Sequence, residues 1–240
     1  MSAWRTIGVI LFLGIVSIGA AGRLAAQNAP VPPGTAAAAL PKDVDPVSQF
    51  RLPSVKREDL DDAGKKVYDR FADPNNPAAV IRGPNGVRLY SPLVADHLYT
   101  VNQYLRNEAG FGNRIAELAI LNAAREANSQ YEWGAHEGAA QRAGLEQEII
   151  DIVKYRKELK GLEATKGLGE KETLIIHLSR EMLRQKSVSP ETFAEGLRLF
   201  GEKGLVELVS LIAHYSATGY LLNTFGNVPA PTPNFPLPIP

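Results

Sequence analysis

Apolar positions recur three and four residues apart over most of this chain, and no stretch shows the strict alternation and β-branched enrichment of a strand. Glu58–Ala72 carries Leu60, Gly64, Val67, Tyr68 and Phe71 at helical spacing. Residues 73–88 hold Pro74, Pro77, Gly83, Pro84 and Gly86, which predicts a loop. Ser91-Pro92 opens the next helix, with serine at the N-cap and proline in the first turn, running to about Asn107. Two helices follow over Asn113–Ala127 and Gln130–Ala143, the second closed by Gly144, and a shorter one over Glu146–Tyr155. Beyond the Gly-containing stretch 160–169 the pattern predicts helices over Glu170–Lys186, from Ser189-Pro190 to just before Gly201, and over Glu202–Phe225. The last carries Leu205, Val206, Leu208, Val209, Ile212 and Ala213 on an apolar face and should pack against the Asn113–Ala143 pair. The expected fold is all-α, a compact bundle of about seven to eight helices spanning residues 58–227.

The two ends follow different rules. Arg5, the apolar run Ile7–Ala21, and small residues to Ala26 form the pattern of a secretory signal peptide over residues 1–26. The run is shorter than the ~20 apolar residues that span a bilayer. Cleavage after Ala26 and export to the periplasm or beyond are therefore expected. An uncleaved anchor is the alternative. Residues 27–57 are Ala- and Pro-rich and read as a linker or a segment lying on the surface. Residues 228–240 hold proline at nearly every second position, excluding helix and inner strand, and read as an arm packed on its own or a neighbouring subunit.

Composition removes several functions. Lys+Arg 26 against Asp+Glu 26 leaves no net charge, and no basic stripe with interleaved aromatics is present, so nucleic acid is not an expected partner. The chain has no cysteine, which excludes disulfides, thiolate metal sites and a peroxidatic thiol. No His-Glu-x-x-His spacing, Gly-rich phosphate loop or nucleophile elbow occurs, so neither metal nor cofactor is expected.

Proton chemistry remains. Glu117 shares a helical face with Ile120, Leu121 and Ala124, where an acid must pair with a cation or be held protonated by burial. Its plainer role is to complement the helix dipole. His136 has Ala139, Ala140 and Ala143 on its face and Trp133 one turn back, leaving room for a close neighbour or a ligand. A satisfied core histidine fits the same pattern. Glu132, four residues before His136, can orient the imidazole for general acid–base work. Yet Ser129-Gln-Tyr-Glu132 also matches a capping box, which would turn that carboxylate to the backbone. His214 reads as core, while His97 and His177 lack a well-placed acid.

At Glu117-Leu-Ala-Ile-Leu, Ser129-Gln-Tyr-Glu-Trp-Gly-Ala-His136 and Ala143-Gly-Leu the chain resembles the carboxymuconolactone decarboxylase family, whose superfamily also holds the alkylhydroperoxidase D-like proteins. The likeness runs from about Leu60 to Asn227, through Gly83-Pro84, Leu89-Tyr-Ser-Pro92, Val188-Ser-Pro and Leu205-Val-Glu-Leu-Val209. It implies an alkylhydroperoxidase D-like bundle and a homo-oligomer, often a trimer or hexamer. In the peroxidase branch a Cys-x-x-Cys pair stands where this chain has Ser129 and Glu132, so thiol redox activity does not carry over. The decarboxylase branch has a Glu and a His four apart, matched by Glu132 and His136, and Glu117 matches an acid of both branches. The resemblance thus implies a lyase acting on a small organic acid or lactone through Glu117, Glu132 and His136, with Trp133 binding substrate. A non-catalytic binding or assembly protein on the same fold is the second reading.

Overall fold

The computed structural model describes residues 40–229 and 237–238. The expected signal peptide and the rest of the two Pro-rich ends lie outside the described residues. Eight α-helices and no β-strand occur among the described residues. They are α1 (Asp62–Phe71), α2 (Gly83–Arg88), α3 (Pro92–Asn107), α4 (Asn113–Glu126), α5 (Gln130–Arg142), α6 (Gln147–Lys154), α7 (Glu170–Arg180) and α8 (Pro190–Thr224).

The hub is α4, which packs against α5, α6, α7 and α8. Every residue from Ala116 to Arg125 is buried, so the helix is enclosed on all sides. Its alanines let neighbours approach closely, while Leu118, Ile120 and Leu121 fill the main core together with Ile149, Ile175, Leu208 and Ile212. A smaller cluster of Val67, Leu89 and Ala95 joins α1 to α3. The last helix does pack on the α4–α5 pair, as its apolar face requires. Its length and hydropathy would suffice to cross a membrane, but more than half of its apolar window is buried inside the bundle. Burial accounts for that apolarity.

Local chemistry sets the ends. Asp61 and Ser189 cap α1 and α8 by accepting from Gly64 and Thr192 N–H groups. Gly144 (φ 85°) terminates α5 in the left-handed region, with Leu145 N–H on Ala140 C=O at 3.0 Å and Gly144 N–H on Gln141 C=O at 3.0 Å. Within α8 the backbone breaks at Gly201 (φ 67°, ψ 177°), which separates the two helical stretches read from the sequence.

Two expectations need correction. Residues 83–88 form α2 rather than loop, because Pro84 lies in the first turn, where a missing N–H costs nothing. The helix expected over Glu170–Lys186 is regular only to Arg180, then widens into a π-helical turn over Glu181–Gln185 that ends at Lys186 in the left-handed region (φ 64°). Within the Ala/Pro-rich stretch, residues 40–57 lie on the bundle. Phe50 is fully buried, and Arg51 N–H donates to Phe225 C=O at 2.8 Å.

Candidate acid–base site

The turn between α4 and α5 uses one residue twice. Asn128 takes the left-handed conformation (φ 49°), and Ser129 N–H then closes the end of α4 on Ala124 C=O at 2.9 Å. The Ser129 hydroxyl meanwhile caps α5 by accepting from Glu132 N–H at 3.4 Å. A capping box would need the Ser129 N–H for the Glu132 carboxylate, and that N–H is already committed. Glu132 is accordingly released to the interior. Its side chain is nearly fully buried, its Oε2 lacks any hydrogen-bond partner, and that oxygen lies 3.5 Å from His136 Nε2.

The other face of the imidazole is held firmly. His136 Nδ1 lies 2.8 Å from Glu117 Oε2, and Arg106 on α3 donates through Nη2 to Glu117 Oε1 at 2.6 Å. This order assigns the Nδ1 proton to the Glu117 side and leaves Nε2 facing Glu132. Tyr215 of α8 presents its ring edge-on to the imidazole, centroids 5.2 Å apart at 86°. The His136 side chain keeps 11% of its surface exposed and that of Arg106 keeps 33%, so the solvent-facing side of the cluster is the Arg106 side. Two surface clefts, of about 290 Å³ around Tyr68 and Ile81 and about 520 Å³ around Leu174 and His177, contain none of these residues.

The two acids are pushed in opposite directions. Burial raises Glu132 above the usual carboxylate range, outweighing the attraction of His136, Arg88 and Arg106. Burial also opposes ionisation of Glu117, but His136 and Arg106 together overcome it and hold that carboxyl below its ordinary value. An acid biased towards ionisation and an acid biased towards keeping its proton thus flank one imidazole. Burial likewise raises Tyr215, and lifts Tyr131, the residue before Glu132, to about 12. Arg88 donates to Thr218 Oγ1 at 2.6 Å, its Nε is buried without a partner, and desolvation lowers its pKa.

Of the residues read from the sequence, Glu117, Glu132 and His136 come together. Trp133 does not join them by any hydrogen bond or ring contact among the described residues. It is 2% exposed in the main core with the Lys154 ammonium 5.8 Å from its ring centroid, and Lys154 pairs with Glu137 at 3.1 Å. His214 is largely enclosed beside Tyr215, and burial drops it to about 4. Arg106, Arg88 and Tyr215 escaped sequence reading, because each comes from a helix outside the α4–α5 pair and none sits in a local motif. Scans of protein-family models, of curated proteins and of solved structures find no match to this chain.

Proposed function

We propose that the protein is an acid–base enzyme on a small organic acid or lactone, a cysteine-free relative of the carboxymuconolactone decarboxylases that acts without thiol redox. The observation that carries this reading is the buried Glu132 Oε2, without a hydrogen bond and 3.5 Å from Nε2 of an imidazole that Glu117 and Arg106 hold from behind. A histidine kept only for packing has no need of a second buried acid at its other nitrogen. The match of Glu117, Glu132 and His136 to the family pattern supports the same reading. The basic-then-apolar residues 1–26 support export, and the family likeness supports a homo-oligomer.

In the proposed reaction a γ-carboxy-butenolide loses carbon dioxide. The electron pair of the broken C–C bond passes into the lactone, giving an oxyfuran whose oxyanion needs a donor and whose ring carbon then takes a proton. Glu132 and His136 Nε2 hold the proton to be delivered. Ionised Glu117 fixes the ring's orientation and stabilises the imidazolium whenever that proton rests on His136. Arg106, on the partly exposed side, attracts the incoming anion.

The test is carbon dioxide release from a panel of carboxylated lactones, together with deuterium uptake from D2O at the acidic carbon of the product. His136→Ala should lower turnover about 10²- to 10⁴-fold, the span of a general acid–base group. A wild-type protein that turns over none of the panel and exchanges no deuterium would sink the enzyme reading. Saturable binding of the same acids without turnover would then favour the second reading, a binding protein built on this fold.

A further inference from the structure

The chain beyond α8 meets the bundle at a defined seat. Leu237 is 1% exposed and belongs to the main core. Its N–H donates to Gln130 Oε1 at 2.9 Å, and its C=O accepts from Gln130 Nε2 at 2.9 Å. One side-chain amide thereby supplies both bonds that a neighbouring strand would offer a single residue. Arg125 Nη2 donates to Pro238 C=O at 3.1 Å. Proline has no N–H, so nothing at that position is left unsatisfied. Arg125 is itself 4% exposed and pre-set, with its Nε on Lys154 C=O at 2.7 Å and its Nη1 on Asn128 Oδ1 at 2.6 Å. The arrangement reads main-chain direction, one apolar side chain, and a following residue that needs no donor partner.

We propose that Arg125 and Gln130 form a peptide-binding seat for an extended Leu-Pro segment, filled in cis by Leu237–Pro238, and that its occupancy positions Glu132. The second half rests on the acid–base reading above; the seat itself does not. Arg125 and Gln130 bracket the Asn128-Ser129 turn, and Gln130 begins the helix turn that carries Glu132. An empty seat removes a core side chain and both partners of the Gln130 amide, loosening the start of α5. Among the described residues of this segment, one buried side chain and three main-chain hydrogen bonds meet the bundle, and local opening of a terminal segment leaves the rest of the bundle folded. A separate peptide of the same sequence can then take the vacated seat. In the wild type it competes against a tethered segment whose effective concentration is of millimolar order, and it loses.

The experiment uses full-length protein and a fluorescein-labelled peptide of residues 229–240, followed by anisotropy. Leu237→Asp should bind the peptide saturably, the wild type at least about tenfold more weakly, and a peptide carrying Asp at the Leu237 position should bind neither. No binding to Leu237→Asp, or equal binding to the wild type, overturns the seat. Should that variant fail to fold, hydrogen exchange on the wild type decides, since the Leu237 amide should exchange slowly and a fast amide overturns the seat. Peptide added to Leu237→Asp should return the His136 ring resonances to their wild-type positions. Binding without that return overturns the positioning role. None of these readouts uses turnover, so an inactive wild type would sink the acid–base reading and leave the seat standing.

Discussion

Ser129 decides what Glu132 can do. The Ser-x-x-Glu pattern allowed two outcomes, and local sequence could not separate them, because the answer depends on whether the Ser129 N–H is already spent. It is spent only because Asn128 turns left-handed and closes α4 on the same residue that opens α5. Glu117, Glu132 and His136 were legible as candidates from the apolar neighbours around them. The same pattern also fitted a dipole-complementing acid, a capping box and a core histidine, and only the fold brings the three together. Glu132→Gln tests the consequence. Because the folded-state value of Glu132 lies above its ordinary 4.5, its contribution to stability is intact below that pH. It is lost as pH rises towards the folded-state value, by at most about 1.4 kcal/mol per pH unit for one proton. Glutamine mimics the protonated acid, so the variant should fold, show a flatter urea midpoint across that window, and lose turnover. A wild-type midpoint that does not fall with rising pH more than the variant's would contradict the assignment. Glu117 behaves oppositely, its contribution being lost as pH falls through its lowered value. Glu117→Gln should cost about 1–3 kcal/mol by weakening two charge-assisted bonds, to Arg106 and His136.

Helices α4, α5 and α8 meet where the α4–α5 turn presses on Gly219. A Cβ there would stand 2.8 Å from Ala127 Cβ and 3.2 Å from Ser129 Cβ, against atoms that cannot swing away. Asn223 Nδ2 donates to Ala127 C=O at 2.8 Å on the same side, so the contact clamps the turn as well as the helix. Gly219→Ala should therefore cost about 1–3 kcal/mol in a urea melt. Gly138→Ala, whose nearest atom is the flexible end of Arg142 at 3.2 Å, should gain up to about 1 kcal/mol from helix propensity. Equal effects at the two sites would refute the close approach. Helix existence was legible because 3.6-residue periodicity, Ser-Pro starts and Gly144 all act locally. Pro84 misled because a helix breaker at mid-helix is a helix starter in the first turn. The π-helical turn at Glu181–Gln185 left no mark in the periodicity, and Glu181 there accepts from Ser189 N–H and Thr192 Oγ1 across the following loop, contacts that no local pattern signals.

At the scale of the whole molecule, the surface carries a pattern that a single chain leaves unused. On α8, Val206 and Tyr220 are 65% and 49% exposed, with exposed Ser210, Ala213 and Ala217 between them at alternating spacings of four and three. That spacing matches the seam pattern of paired helices, with small residues where two backbones would approach. A seam of this length covers roughly 20 Å by one helix width, about 200 Å², well short of the ~800 Å² per partner of a stable interface. The outward residues of α3, Leu93, Val94, Val101 and Tyr104, supply further apolar surface, and Tyr104 links the two helices by hydrogen bonds to Glu207 and Lys203. The homo-oligomer proposed from the family likeness should therefore pair through α8 and α3 together. Light scattering should give a multiple of the 26.0 kDa chain mass, less any residues removed from the N-terminus. Ala213→Glu and Val101→Glu, both on exposed positions, should each yield monomers of unchanged helicity, because association would have to desolvate the added carboxylate in an apolar contact. A wild type that stays monomeric at micromolar concentration would refute self-association. An oligomer indifferent to both substitutions would place its interface on another face of the bundle.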